Sequence, residues 1–385
     1  MTPRPRGLLF LLLFALLVKL CVFSLAVPFG GLFHPRLTDL EGYQDFRLAY
    51  VPLVSNFTAG KMPYRDFQYA YPPLFLYLLT PFALSSLPPW TMALPLVSFD
   101  VASVILVFLI SRRFTSHRKA LVGSAVFAIA PINLWYNDFL WLNPPPMTFF
   151  ILLATYSFLS RKYEVSFTCL ATATLFKQIA FALFPIFITT MLSRSNRRDV
   201  TKNALLYASI FFLVSLPYII TIPTYYLWSL GIPGFGPGWP PEKFTYYFGS
   251  PTSLAIVFGE NAYEPAKPLL WAALLSSFAA LCWRTHKAGS VNDIAFVTHI
   301  LYALLLFHTF FPRGIYKYYY CAVTPFYSTF IRSRKTALGF LGLNALVLAI
   351  PRYLTPWLLV LLIVLPFMRS VPYLRRFVRS STTTP

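Results

Sequence analysis

LLFLLLFALLVKLCVFSLAVP, residues Leu8–Pro28, is an apolar run carrying a single charge, Lys19. About 20 such residues are what a helix needs to cross roughly 30 Å of hydrocarbon. The hydrophobic region of a cleavable signal is shorter, about 7–15 residues. The run is therefore read as a retained first membrane span, with Arg4 and Arg6 on the inner side.

The rest of the chain repeats the pattern. Of 385 residues, 57% are hydrophobic and only 11% charged, and the mean hydropathy is +0.62. Soluble domains carry about 25% charged residues, so a water-soluble assembly is excluded and an all-α polytopic membrane protein is predicted. Spans are placed near 8–28, 90–111, 119–135, 146–160, 164–177, 178–193, 203–222, 267–285, 292–311, 318–331, 336–350 and 356–368, about 12 in one membrane domain covering 1–385. The apolar stretch 71–86 is broken by Pro72, Pro73 and Pro81. Counting it as a span would put Arg112, Arg113, Arg118 and Lys119 outside, so it is read as re-entrant or interfacial.

The 32 Lys and Arg against 12 Asp and Glu give a net charge of +20. In a soluble protein such an excess would suggest nucleic acid; here it first orients the chain, and no nucleic-acid partner is expected. With these spans, about two-thirds of the basic residues fall in short inward turns and the tail, placing both termini in the cytoplasm of a cell membrane protein. Asp39, Glu41, Asp45, Asp66, Asp138, Glu242, Glu260 and Glu264 fall on the other side. That side also holds the two long loops, 29–89 and 222–266, and loops longer than about 12–15 residues usually carry function.

In the first loop, Phe46, Ala49, Tyr50, Leu53, Val54 and Phe57 recur at helical spacing, predicting an amphipathic interfacial helix over 43–57. Pro52 is expected to kink it, Gly60 to end it and Pro63-Tyr64 to turn the chain. Asp39, Glu41 and Asp45 gather at its start, where mutual repulsion raises a carboxylate toward the range of a general base; helix capping is the bland reading of the same cluster. Asp100 lies deep in a span and needs a donor, for which Lys19 is available, as a structural pair. Asp138, read at the mouth, is placed to bind sugar hydroxyls or to support a divalent metal, the one cofactor left open. His34, His299 and His308 lack ligand spacing, and Cys21, Cys169, Cys282 and Cys321 form no metal or redox motif. Asn56-Phe57-Thr58 is a glycosylation sequon on the proposed helix. In the second loop, Gly231–Pro241 is rich in Gly and Pro, and Phe244–Phe258 reads as a second interfacial element covering the site.

The order of landmarks is more specific than any one of them. An acidic cluster follows the first span, then Gly60, Pro63 and Tyr64, Tyr71-Pro72-Pro73-Leu74 and Thr80-Pro81. Phe99-Asp100-Val101-Ala102, Pro131, Asn133 and Asn137-Asp138 come next, then Phe176-Lys177-Gln178, Phe184-Pro185-Ile186, Arg313-Gly314, Tyr318-Tyr319-Tyr320 and Pro325. This series resembles the membrane-embedded GT-C glycosyltransferases, nearest to the first mannosyltransferase of GPI-anchor synthesis and its prokaryotic polyprenyl-phosphate-sugar relatives. Residues 223–267 have no counterpart in the resemblance.

The resemblance implies transfer of a sugar, mannose foremost, from a polyprenyl-phosphate donor to a lipid-linked or glycan acceptor. One of Asp39, Glu41 or Asp45 would act as general base and leave the anomeric carbon inverted. The leaving phosphate needs positive charge, for which Lys177, Arg313 and Lys317 are the candidates, the last two four apart and so on one helical face if a helix extends that far, against a bland reading as snorkelling cations. Tyr64, Asp66, Tyr71, Asp138 and Gln178 are the candidate substrate contacts. The rival classes are a transporter or lipid-linked-sugar flippase and a non-catalytic scaffold. Transporters often show internal repeats, and the two halves here share none.

Overall fold

The first span folds as α1, Pro5–Ala26, whose 22 residues extend about 33 Å. Its buried stripe is Leu11, Ala15, Lys19, Phe23 and Ala26, while Leu9, Phe10, Leu13 and Leu17 are exposed. Apolar residues outside and a lysine inside are what a lipid solvent selects. In the computed structural model the residues described are 5–29, 45–85, 87–230, 232, 263–287, 291–312, 315–351, 354–355 and 357–362. Asp39, Glu41, Arg313, the element proposed over 244–258 and most of the span proposed over 356–368 lie outside them.

The described chain is all helical. In the first loop α2 (Val51–Thr58) and α3 (Leu74–Leu84) are short. At 11 residues, about 16 Å, α3 cannot cross the membrane by itself, as Pro72 and Pro73 before it and Pro81 within it predicted. Central α4 (Leu94–Arg112) is entered through a 3-10 turn at Pro89–Ala93 and buries Asp100, Val104, Val107 and Phe108. It packs against α1, α5 (His117–Ala128) and α7 (Pro144–Leu159). Between α5 and α7 the chain makes one turn, α6 (Pro131–Asn133), and a wider π-helical turn, Leu134–Phe139. Then follow α8 (Tyr163–Phe176), α9 (Phe184–Leu192), α10 (Arg197–Thr221), α11 (Pro223–Ser229), α12 (Tyr263–Lys287), α13 (Asp293–Phe310), α14 (Thr324–Ser328) and α15 (Arg334–Ala349). Side chains of Ser116, Asn196, Asn292 and Ser333 cap the starts of α5, α10, α13 and α15. Gly123 on α5 faces the Ser328 carbonyl of α14, where a Cβ would stand 2.8 Å from that oxygen, so only glycine allows this approach.

Six helices among the described residues are long and apolar enough to cross a membrane: Gly7–Ala26, Pro89–Arg112, His117–Phe139, Arg197–Thr221, Pro265–Lys287 and Asp293–Phe310. About 12 were expected from hydropathy. The difference lies in α7, α8, α9, α14 and α15, which are helical but short, and in the span proposed over 356–368, most of which is outside the described residues. Most of α7 and much of α8 is buried against neighbouring helices rather than lipid, and a buried helix is not held to the bilayer width.

Arg113 reaches the Leu159 carbonyl (2.5 Å) and Asp293 (3.4 Å), and Arg194 donates to the Val291 carbonyl and Asp293. The basic turns after α4, α7 and α9 therefore meet at one end of the bundle. At the opposite ends of α7 and α8 lie Asn143 and Lys177, beside the site.

Candidate active site

Asp45 opens a π-helical segment, Asp45–Tyr50, that continues into α2. The predicted stripe holds: Phe46, Tyr50 and Val54 are buried and anchor the segment to the bundle. Pro52 lies where the wider turn becomes a regular α-helix, a position that accommodates its missing N–H. Gly60, at φ +80°, terminates the helix in the left-handed conformation glycine favours.

Beyond it the chain folds tightly. Tyr64 adopts φ 68°, strained for a side-chain-bearing residue, and its hydroxyl donates to the Tyr71 carbonyl at 2.5 Å. Asp66 accepts from the Met62 amide at 2.7 Å and from Arg65 at 2.8 Å, and the Arg65 hydrogen bond above all holds its carboxyl down at about 2. Of the expected substrate contacts, Tyr64 and Asp66 thus have their polar atoms engaged in shaping this loop. Its product is the placement of Tyr71.

Helix α8 ends at Phe176 and Lys177 is extended, φ −156° and ψ 129°, before a 3-10 turn over Gln178–Leu183. That break directs the Lys177 ammonium onto the ring of Tyr71, 3.9 Å from its centroid, with the Tyr319 ring at 4.9 Å. Tyr319 and Tyr318 come from a further 3-10 turn, Lys317–Ala322, and the Tyr318 hydroxyl donates to Asp45 Oδ2 at 3.5 Å. Asp45, Tyr71, Lys177, Tyr318 and Tyr319, spread over most of the sequence, are therefore brought into one cluster.

The electrostatics of Asp45 follow from this enclosure. Burial pushes its carboxyl up to about 6, while the Lys177 charge and the Tyr318 hydroxyl pull the other way. Burial also lifts the Tyr50 and Tyr71 hydroxyls well above the usual phenol range, so they remain protonated beside it. A carboxylate near 6 is ionised at neutral pH and basic enough to accept a proton from a hydroxyl in a transition state.

Three sequence candidates lie elsewhere. Lys317 is buried and donates to the Leu348 and Ile350 carbonyls at 3.0 and 2.9 Å, closing the C-terminal end of α15. Its spacing from Arg313 suggested one helical face, but the 3-10 turn directs it to α15 instead. Asp138, expected at the mouth, is fully buried and pairs with Lys19 at 2.9 Å. Lys19 also pairs with Asp100, whose other oxygen accepts from Asn137 at 3.0 Å. The expected Lys19–Asp100 pair is thus one side of a buried triad. Gln178 donates to the Ser229 carbonyl at 2.9 Å and borders an apolar cavity of about 490 Å³ whose walls include Phe212, Trp271, Phe278 and Phe311. No group of three or more His, Cys, Asp or Glu side chains able to hold a metal ion occurs among the described residues. Sequence reading missed Tyr50, Tyr318 and Tyr319 as neighbours of the carboxylate; the triple tyrosine was visible only as a landmark.

No family model matches the chain, and no curated protein matches it in sequence. Among solved structures it is similar to the oligosaccharyltransferase of Archaeoglobus fulgidus in the apo form, with TM-score 0.51 and 14% identity over 98% of this chain and 60% of that one. The archaeal oligosaccharyltransferase AglB of Archaeoglobus fulgidus, in complex with an inhibitory peptide and a dolichol-phosphate, aligns with TM-score 0.47 and 15% identity over 97% and 59% of the two chains. The first likeness is one of fold alone, and this chain spans about 60% of that protein's length.

Proposed function

We propose that the protein is a membrane glycosyltransferase that moves a sugar, mannose foremost, from a polyprenyl phosphate to a hydroxyl of a lipid-linked or glycan acceptor. The observation that carries this reading is the cluster in which Asp45 faces Lys177 among tyrosines. Asp45 takes the proton of the acceptor hydroxyl as that oxygen bonds to the anomeric carbon. The bond from that carbon to the donor phosphate breaks, and the phosphate leaves with the bonding electrons. Lys177 offsets the charge that accumulates on the phosphate, and attack opposite the leaving group inverts the anomeric centre. Tyr71 and Tyr319 hold the ammonium in place through their ring faces.

The apolar cavity beside Gln178 fits the same reading, because a polyprenyl chain needs a dry, apolar channel close to its phosphate. This cluster lies at the end of the bundle away from the basic turns, which on the positive-inside rule is the outer face, with both termini inside. Asp39 and Glu41 remain alternative bases on sequence grounds.

The test is transfer from radiolabelled polyprenyl-phosphate mannose in membranes carrying the wild type, Asp45→Asn or Lys177→Met. Product from the wild type, lost in both variants, is expected. Wild-type activity in Asp45→Asn moves the base assignment to Asp39 or Glu41. Transmembrane movement of the labelled lipid without a new glycosidic bond replaces the enzyme reading with transport.

A further inference from the structure

Lys19, Asp100 and Asp138 are each fully buried, and they join three separate pieces of chain: α1, α4 and the π-helical turn at Leu134–Phe139. A charge in hydrocarbon costs about 2.5–3.5 kcal/mol or more unless partnered, so a triad of them there calls for a reason. The role of Asp45 proposed above does not use these side chains directly.

The geometry beside the triad supplies a reason. Three residues after Asp138 comes Trp141, fully buried, at φ 56°. A bulky residue there is strained and persists only where its surroundings over-determine it. Its indole N–H has no hydrogen-bond acceptor among the described residues, so packing holds it. That packing comes from Phe23, with ring centroids 5.3 Å apart, and from Phe46, edge to face at 4.9 Å. Phe23 lies four residues after Lys19 on the same face of α1, so one stripe presents the ammonium to Asp138 and the ring to Trp141. Phe46 is the residue next to Asp45. The same turn carries Tyr136, whose ring lies 6.0 Å from that of Tyr318, the hydroxyl donor to Asp45. Both flanks of the carboxylate are therefore braced from the turn that the triad pins.

We infer that Lys19, Asp100 and Asp138 are positioning residues: by clamping the 134–141 turn to α1 and α4 they hold the strained Trp141 against Phe46, and so fix the place and enclosure of Asp45. The inference rests on the reading of Asp45 as the base for its catalytic consequence, and not for its structural one. Among the described residues, the charged and titratable groups facing Asp45 are Lys177 from the break after α8, Tyr318 and Tyr319 from the 317–322 turn, Tyr71 from the loop before α3, and Tyr50 from its own segment. None belongs to the triad, so any effect of the triad on Asp45 must travel through packing.

The experiment is a ¹³C NMR titration of purified protein in nanodiscs, labelled at aspartate carboxyls, with the Asp45 resonance assigned by its loss in Asp45→Asn. In Asp138→Asn and in Trp141→Leu the midpoint is expected to fall by about one pH unit as water reaches the carboxyl. The double variant is expected to shift no further, and Lys19→Arg, which keeps the cation, to titrate as the wild type does. Because Asp138→Asn alters a buried charge, Trp141→Phe and Phe46→Leu, which leave the triad intact, carry the same expected direction. An unchanged midpoint in Trp141→Leu and Phe46→Leu overturns the inference. In parallel, transfer from polyprenyl-phosphate mannose is expected to lose about tenfold in kcat with little change in KM. A wild type that transfers no sugar while the midpoint still moves removes the enzyme reading and leaves the positioning role standing. Transfer with an immovable midpoint does the reverse.

Discussion

The Lys177 ammonium lies 3.9 Å from the centre of the Tyr71 ring, although 106 positions of chain, two helical hairpins and the central helix separate them. A cation over an aromatic face is attracted to the ring's electron-rich centre, which fixes where the Lys177 charge lies. Lys177→Met is expected to lower transfer by about 10²–10³-fold, the range for losing one preorganised donor to a developing anion. Lys177→Arg should keep part of the activity. Tyr71→Leu should cost about 0.5–2 kcal/mol, a few-fold to some thirty-fold, in kcat/KM. Initial rates at saturating and limiting donor separate the three.

The carboxyl of Asp45 is raised to about 6, so the fraction of active base grows as pH rises through that value. The acid limb of kcat/KM should have its midpoint near 6. Tyr318→Phe removes a hydrogen bond that favours the ionised form, and should move the limb to higher pH. A limb that stays put in Tyr318→Phe would remove that contact from the account.

The same shift bears on stability. A carboxyl raised from 3.8 to about 6 on folding is fully stabilising only below its unfolded value, and that contribution is lost as pH rises through about 6. The loss is at most about 3 kcal/mol, less for the partly exposed face of the side chain. Asp45→Asn should therefore raise Tm at pH 8 and have little effect at pH 4. Thermal unfolding in detergent at the two pH values reads the difference.

Lys317 serves two carbonyls at the end of α15. Lys317→Met should destabilise the protein by about 1–3 kcal/mol, the cost of leaving buried acceptors unmet. Donor KM should not change. A selective loss of donor affinity at wild-type Tm would restore Lys317 as a phosphate ligand.

Ala182 lies in the wall of the apolar cavity beside Gln178. Ala182→Trp should raise KM for a long polyprenyl donor by about tenfold and leave a short-chain donor little affected, since only the former needs the filled volume. Equal effects on both donors would detach the cavity from the donor chain.

Legibility in the sequence differed from residue to residue for a physical reason. Asp45 could be read as a candidate because it clusters with Asp39 and Glu41 at the start of a helix, and Lys177 because a lysine between two apolar segments is expensive wherever it points. Lys317 misled, since four-residue spacing from Arg313 defines a shared face only on an α-helix, and the chain there makes a 3-10 turn. Asp138 misled for a related reason: a polar Asn-Asp pair after a proline reads as a mouth, but the wider turn at Leu134–Phe139 folds it inward.

What the sequence by itself determined is the solvent and the scaffold. Lipid demands apolar helices and confines charge to their ends, and that rule acts on local composition, which the chain displays openly. Only the tertiary structure decided the remaining partners: that Asp138 joins the expected Lys19–Asp100 pair, that Tyr318 reaches Asp45, and that Trp141 lies strained between Phe23 and Phe46. In a low dielectric the fate of a charge depends on which distant segment arrives beside it, and spacing along the chain carries no record of that.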